Sequence, residues 1–244
     1  MEKDTHTHSK IRANPSVGIL TYDFFHLKTE QIVHKLLRNG FRDITLFALP
    51  FSQRPERPVL IPHRPNQVDA ITTKELASAN NLTFIRYDGK SNLPECDFYL
   101  IAGAGLLPSN VVKNKNIINA HPGIIPSARG LDSYKWSIHN NIPLGITLHY
   151  LDEDVDAGQV ISIVRTPIYS GDSLMTLARR HYELEIEVLS NFTYYLSYSL
   201  VESFPMLDAH RRMPADTEAE MVRRFDDYKL RFATPTRLLQ VVCR

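Results

Sequence analysis

The chain has 244 residues, 43% of them hydrophobic, enough to bury the core of one full domain with an appendage. Its 28 Lys plus Arg stand against 27 Asp plus Glu, a net charge of +1; no global basic field argues for nucleic acid or a membrane surface, and an anionic ligand must be held by a local cluster. Two cysteines, Cys96 and Cys243, are too few and too far apart for a disulfide scaffold or a metal knuckle, so a reducing cytoplasm is the expected compartment.

The N-terminus, MEKDTHTHSK, lacks the apolar run of a signal peptide, and no later run reaches membrane-spanning length. Residues 1–15 read as a flexible tail. In chain order, SVGILTY (16–22) is a first strand, and Thr29, Ile32, Val33, Leu36 and Leu37 have the spacing of an amphipathic helix that Gly40 stops. DITLFAL (43–49) is a second strand. From Pro50 to Pro65 come five prolines with Arg54, Arg57, His63 and Arg64, which excludes a helix or central strand and predicts a surface loop. Thr72 and Glu75 have capping-box spacing and open a short helix before the strand LTFIRY. DFYLIAG (97–103) is the near-continuous apolar run of a strand covered on both faces.

A helix from about Pro108, a strand 117–120 and a helix 131–139 follow, so strands alternate with helices as in a Rossmann-like, doubly wound, mostly parallel α/β sheet. GITLHYL and QVISIVRTPI, a short loop apart, predict an antiparallel or crossed pair added to it. One long helix is expected over 173–199, with Leu174, Leu177, Ala178, His181, Val188, Leu189, Phe192, Tyr195 and Leu196 on its apolar stripe. A second capping-box spacing, Thr217 to Glu220, opens a last helix. The expected domains are the tail, a catalytic domain 16–168 and a helical extension 169–244. The aromatics Phe192, Tyr194, Tyr195 and Tyr198 suit either a homodimer interface or core packing.

The strand 117–120 runs into NAHPG, where Asn119 and His121 share a face and Pro122 and Gly123 stop the strand at once. In a doubly wound sheet, ligands bind outside the carboxyl ends of the strands. An amide and an imidazole at such an end are candidates for chemistry, joined by His149 and by Asp156 in the acidic loop DEDVDAG. Taken singly, each has a plainer reading as a turn former or packed residue; the combination is the specific signal.

That combination, NAHPGIIPSARG…GITLHYLDEDVDAGQVI, resembles the signature of the N10-formyltetrahydrofolate-dependent formyltransferases, which include glycinamide ribonucleotide, methionyl-tRNA and sugar N-formyltransferases. Asn119, His121, Pro126, Gly130, Gly145, Thr147, His149, Asp156 and Gly158 fit it, and the seven-residue step from His149 to Asp156 is kept. The resemblance implies that Asn119, His121 and Asp156 are catalytic. It implies folate contacts at Gly105, Leu106 and Leu107 and at Asp152, Glu153, Asp154 and Val155; a plain strand-to-helix turn is the alternative for the first group. No metal and no covalent intermediate is implied. A degenerate, non-catalytic module of the same fold would lack one of the three catalytic residues, and a nucleotide-dependent oxidoreductase would need a Gly-x-Gly-x-x-Gly turn after the first strand.

The acceptor follows from departures within the family. TYDFFHLKTEQ after the first strand has no glycine to wrap a phosphate, which disfavours glycinamide ribonucleotide. Neutral charge and a helical tail disfavour tRNA, and a formyltetrahydrofolate hydrolase normally carries a preceding regulatory domain. What remains is similar to the short sugar N-formyltransferases of bacterial surface polysaccharide synthesis, whose partner is a nucleotide-linked amino-dideoxysugar. The family's frequent proline before Trp136 is replaced by Asp132, Ser133 and Tyr134. Arg129, Gly130, His149, Arg54, Arg57 and Arg64 are the acceptor-side candidates, guanidinium forks being suited to phosphate; a solvated basic loop is the alternative for the arginines.

Overall fold

A computed structural model describes residues 14–53, 58–151, 159–198 and 207–234. Seven strands among them form one sheet: β1 (Val17–Tyr22), β2 (Ile44–Leu49), β3 (Thr83–Arg86), β4 (Phe98–Ile101), β5 (Ile117–His121), β6 (Gly145–Tyr150) and β7 (Val160–Arg165). Their order is β3-β2-β1-β4-β5-β6-β7. The first five are parallel, and the expected added pair is β6, antiparallel to β5, and β7, antiparallel to β6. The strand order reverses between β1 and β4, which is where a doubly wound sheet opens a crevice at its carboxyl edge.

Helix α1 (Leu27–Arg38) buries Thr29, Ile32, Val33 and Leu36 against the sheet and ends at Asn39, with Gly40 at φ 95°. Burying each of its aliphatic side chains contributes about 1.5–3 kcal/mol. Helix α2 (Thr73–Ala79) has the expected reciprocal cap between Thr72 and Glu75. α3 (Ser109–Val112) is a single turn, and α4 (Ser133–His139) starts after a left-handed Asp132 at φ 53°. On β5, Ile118 and Ala120 enter the core beneath α1 and α5 (Leu174–Ser190), whereas Ile117 enters the core on the opposite face. Asn119 and His121 therefore share that opposite face.

Helix α5 places Tyr182, Ile186, Val188 and Leu189 in the same core as the sheet, so packing continues across residue 168. The expected long helix breaks at Asn191, whose amide donates to Glu187 O (2.9 Å) and competes with the helical bond there. Helix α6 (Phe192–Tyr198) begins afresh beyond it. The last helices, α7 (Ala215–Arg223) and α8 (Phe225–Phe232), pack Met221, Phe225 and Tyr228 with Met213 against Tyr134, Ile138 and Leu177. α7 is capped by Pro214, three residues before the expected Thr217, because Glu220 reaches outward to Arg224 and His139 instead of back to Thr217. No helix among the described residues is long and apolar enough to cross a membrane.

Candidate active site

The antiparallel register sets Asn119 opposite His149 and His121 opposite Thr147. His149 is wholly buried. Its Nδ1 lies 3.0 Å from Tyr150 O, which can only accept, so Nδ1 carries the proton and Nε2 accepts from Asn119 Nδ2 at 3.2 Å. This bond orients the Asn119 amide and leaves its second N–H for another acceptor. His149 thus lies behind Asn119.

His121, 4% exposed, is held in the same way. Its Nε2 donates to Ala128 O (2.8 Å) and lies 3.1 Å from Ser133 Oγ, whose own proton goes to Gly130 O. These contacts fix the plane of the ring at the end of β5. Gly123 lets the loop fold this tightly: a Cβ there would come within 2.4 Å of Ala128 O and 3.0 Å of His121 Nε2. Thr147 fastens the loop to β6 by donating to Gly123 O and accepting from Ile125 N.

His121 opens onto a cavity of about 530 Å³. Of the residues singled out from sequence, His121, Gly130, Leu106 and Arg64 line it. Leu106 is 80% exposed on the loop after β4, with Gly105 exposed and Leu107 half-buried beside it. Arg129 turns elsewhere, donating to Leu207 O (2.9 Å). Asp156, Asp152, Glu153, Asp154, Val155, Arg54 and Arg57 lie outside the described residues. Among the described residues there is no cluster of three or more His, Cys, Asp or Glu that could hold a metal.

Sequence reasoning missed a buried charge cluster in the cavity wall. Glu185 on α5 accepts from Lys28 Nζ (2.6 Å) and Arg64 Nη2 (2.7 Å). Burial pushes its carboxyl up, but Arg64 and Lys28 together outweigh burial and bring it to about 2. Next to it on the wall, His181 donates from Nε2 to Pro122 O (3.1 Å) and accepts from Thr166 Oγ1 (2.7 Å). Burial brings His181 down to about 4, and burial with Arg64 and Lys135 does the same to His63. The available signal was a carboxylate four residues after His181 on the buried stripe of α5, a place where a charge requires a partner.

The carboxyl end of β1 is built differently. Phe24 stacks on Phe51 (4.4 Å), and Tyr22 meets His26 edge-on (5.5 Å). The amides that open α1 are already bonded, Leu27 N to Gln67 O (2.9 Å) and Lys28 N to Gln67 Oε1 (3.1 Å). A helix start whose amides have acceptors is not a phosphate site.

With this geometry in place, comparison with known proteins identifies relatives. Residues 65–193 match the family model described as Formyl transferase. A phosphoribosylglycinamide formyltransferase from Bacillus subtilis is 36% identical over 70 residues, 28% of this chain and 36% of that protein. The chain spans about a third or less of the length of the curated relatives it matches. Among solved structures, a sugar N-formyltransferase from Shewanella is 19% identical with a TM-score of 0.54, covering 86% of this chain and 87% of that one. An N-formyltransferase from Helicobacter canadensis, in complex with folinic acid and dTDP-3-aminofucose, is 14% identical with a TM-score of 0.58, covering 86% and 80%.

Proposed function

The chain belongs to the formyl transferase family, and from that premise we propose that it transfers a formyl group from N10-formyltetrahydrofolate to the amine of a nucleotide-linked amino-dideoxysugar. The observation that carries this reading is the pair of polar groups fixed at the end of β5, Asn119 by His149 and His121 by Ala128 and Ser133. The acceptor amine attacks the formyl carbon; a C–N bond forms as the carbonyl oxygen takes up negative charge. The second N–H of Asn119 is a preorganised donor for that oxyanion, an effect of about 3–4 kcal/mol on such barriers. His121 is the second side chain placed at that oxygen. Asp156 takes the proton released by the attacking amine and delivers it to folate N10, whose bond to the formyl carbon then breaks. The loop at Gly105–Leu107, with Asp152–Val155, holds the pterin.

A sugar acceptor is supported by the closed, aromatic end of β1, which gives a glycinamide ribonucleotide no free backbone nest. The Helicobacter neighbour in complex with dTDP-3-aminofucose supports the same choice. The Bacillus relative favours glycinamide ribonucleotide as the second reading. A place in surface polysaccharide synthesis in the cytoplasm goes with the sugar reading, and a homodimer through Tyr194 and Tyr198, exposed rings on α6, is compatible with either. The test is tetrahydrofolate release from N10-formyltetrahydrofolate across a panel of nucleotide-linked 3-amino and 4-amino sugars and glycinamide ribonucleotide. Release should require one sugar and should fall about 100- to 10,000-fold in His121→Ala. Release with glycinamide ribonucleotide alone would overturn the sugar reading, and release without any amine would mark a hydrolase.

A further inference from the structure

A nucleotide-linked acceptor brings phosphate, and the first two amides of α1, Leu27 N and Lys28 N, are already bonded to Gln67. The cation expected from Arg129 is also committed, since its guanidinium donates to Leu207 O. We infer that Arg212, carried by the segment 207–213 that Arg129 holds in place, binds the phosphate of the acceptor in the cavity beside His121, with Arg64 as the second guanidinium. This rests on the proposed phosphorylated acceptor and goes beyond it, because the segment lies outside the stretch that matches the family.

The segment is fixed to the loop after β5 and to α4 at Leu207, His210, Arg211 and Met213. His210 N donates to Arg129 O (2.8 Å), and Leu131 N donates to His210 O (2.9 Å). The His210 ring stacks on Trp136 at 4.8 Å, and Trp136 Nε1 donates to Arg211 O (2.8 Å). Met213 N donates to Asp132 Oδ2 (3.0 Å). Gly130, at φ 97°, makes the close approach possible, since a Cβ there would meet His210 O at 2.4 Å. The residues on both sides of Arg212 are thus pinned by α4 and its approach, while the Arg212 side chain stays 45% exposed at the cavity. A preorganised backbone beneath an exposed guanidinium lowers the ordering cost of binding an anion.

The charges in the cavity support the assignment. Glu185 is matched by Lys28 and Arg64. Asp132 Oδ1 stands 4.0 Å from Arg212 Nη1 and 4.0 Å from His63 Nε2, too far for a direct hydrogen bond to either. Arg212 therefore has its donors available while Asp132 keeps it near the opening.

The experiment is calorimetric titration of inorganic pyrophosphate and of dTDP into the full chain, as wild type, Arg212→Gln, Arg212→Lys and Arg223→Gln, the last an exposed α7 arginine away from the cavity. Loss of a charge-assisted hydrogen bond to phosphate should raise the dissociation constant about 10- to 100-fold in Arg212→Gln. Arg212→Lys should recover part of it, and Arg223→Gln should match the wild type. In turnover, KM for the acceptor should rise with kcat nearly unchanged. Equal binding by wild type and Arg212→Gln would overturn the assignment and leave the sugar reading standing. Failure of the wild type to bind either probe, with formyl transfer to an unphosphorylated amine, would overturn both.

Discussion

The carboxyl ends of β1 and β5 lie on the same edge of the sheet, separated only by β4, yet they treat polar groups in opposite ways. At β1 the amides of α1 are bonded to Gln67 and the space above is filled by Tyr22, Phe24, His26 and Phe51. At β5 the polar side chains are oriented by bonds into the protein, Asn119 to His149 and His121 to Ala128 and Ser133, and His121 still faces the cavity. The sheet supplies a crevice near both ends, but a crevice becomes a reactive site only where donors are held and not exhausted. This is why the topological switch point alone does not locate chemistry in this chain.

The β5 end also owns its outer wall, and the strongest test of the contrast attacks that wall. Lys135 of α4 and Glu218 of α7 form an ion pair with residue exposures of 1% and 2%, and Glu218 also accepts from Ile61 N (2.9 Å). Removing one partner of a buried pair typically costs about 3–5 kcal/mol, because the other charge is stranded. Lys135→Met should therefore lower the urea midpoint strongly, and Lys135→Met with Glu218→Gln should recover much of the loss. A change under about 1 kcal/mol in the single variant would mean that the C-terminal helices are fastened by apolar packing alone.

Histidines at the two ends give a second, smaller test. Burial, with Lys28 and Arg64, lowers His26 to about 4, and burial lowers His181, which faces Glu185, Arg64 and His121, to about 4 as well. A histidine whose folded pKa is depressed binds more protons when unfolded, so its stabilising effect is complete above its ordinary value of 6.5 and is lost as pH falls from there toward 4. For the fully buried His181 the loss approaches ~3 kcal/mol. Glu185, brought down to about 2 from 4.5, loses its contribution as pH falls from 4.5 toward 2, the acid end of this range. Thermal melting followed from pH 7 to 4.5 should lose part of its acid sensitivity in both His26→Asn and His181→Asn. Only His181→Asn should also lower kcat, since its bond to Pro122 O braces the residue after His121. Equal activity loss in both variants would erase the functional difference between the ends.

What the sequence made legible follows the range of the interactions. The alternation of strands and helices was readable because periods of two and 3.6 are local, and Asn119 with His121 was readable because strand geometry puts them on one face. The break at Asn191 escaped because a side-chain amide outcompeted an otherwise continuous stripe. The Thr217 capping box did not form because Glu220 found Arg224 and His139. The cavity wall was illegible for a different reason: Lys28 and Glu185 are 157 positions apart, and Asp132 with Arg212 meet only through the docking of α7 and α8 on α4. No local pattern encodes such a meeting. Arg129 shows the same limit from the other side, a guanidinium of suitable type whose partner, Leu207 O, belongs to a distant segment.

The smallest test asks whether the β1 end is closed by Gln67 itself. Gln67→Ala removes the acceptor for Lys28 N and leaves Leu27 N bonded to the main chain at residue 67, so one helix-opening amide is released. Loss of one such bond should cost about 1 kcal/mol, a fall of roughly 2–4 °C in Tm for a chain of this size. Activity should be nearly unchanged, because no catalytic group touches that turn. The informative readout is protection by inorganic phosphate. If bonded amides are what keep anions from α1, phosphate should raise Tm more in Gln67→Ala than in the wild type, and Arg212→Gln should not diminish that extra rise. Phosphate that protects the wild type as strongly as Gln67→Ala, with or without Arg212, would place an open anion site at the end of β1 and remove the distinction between the two strand ends on which the catalytic assignment to β5 is built.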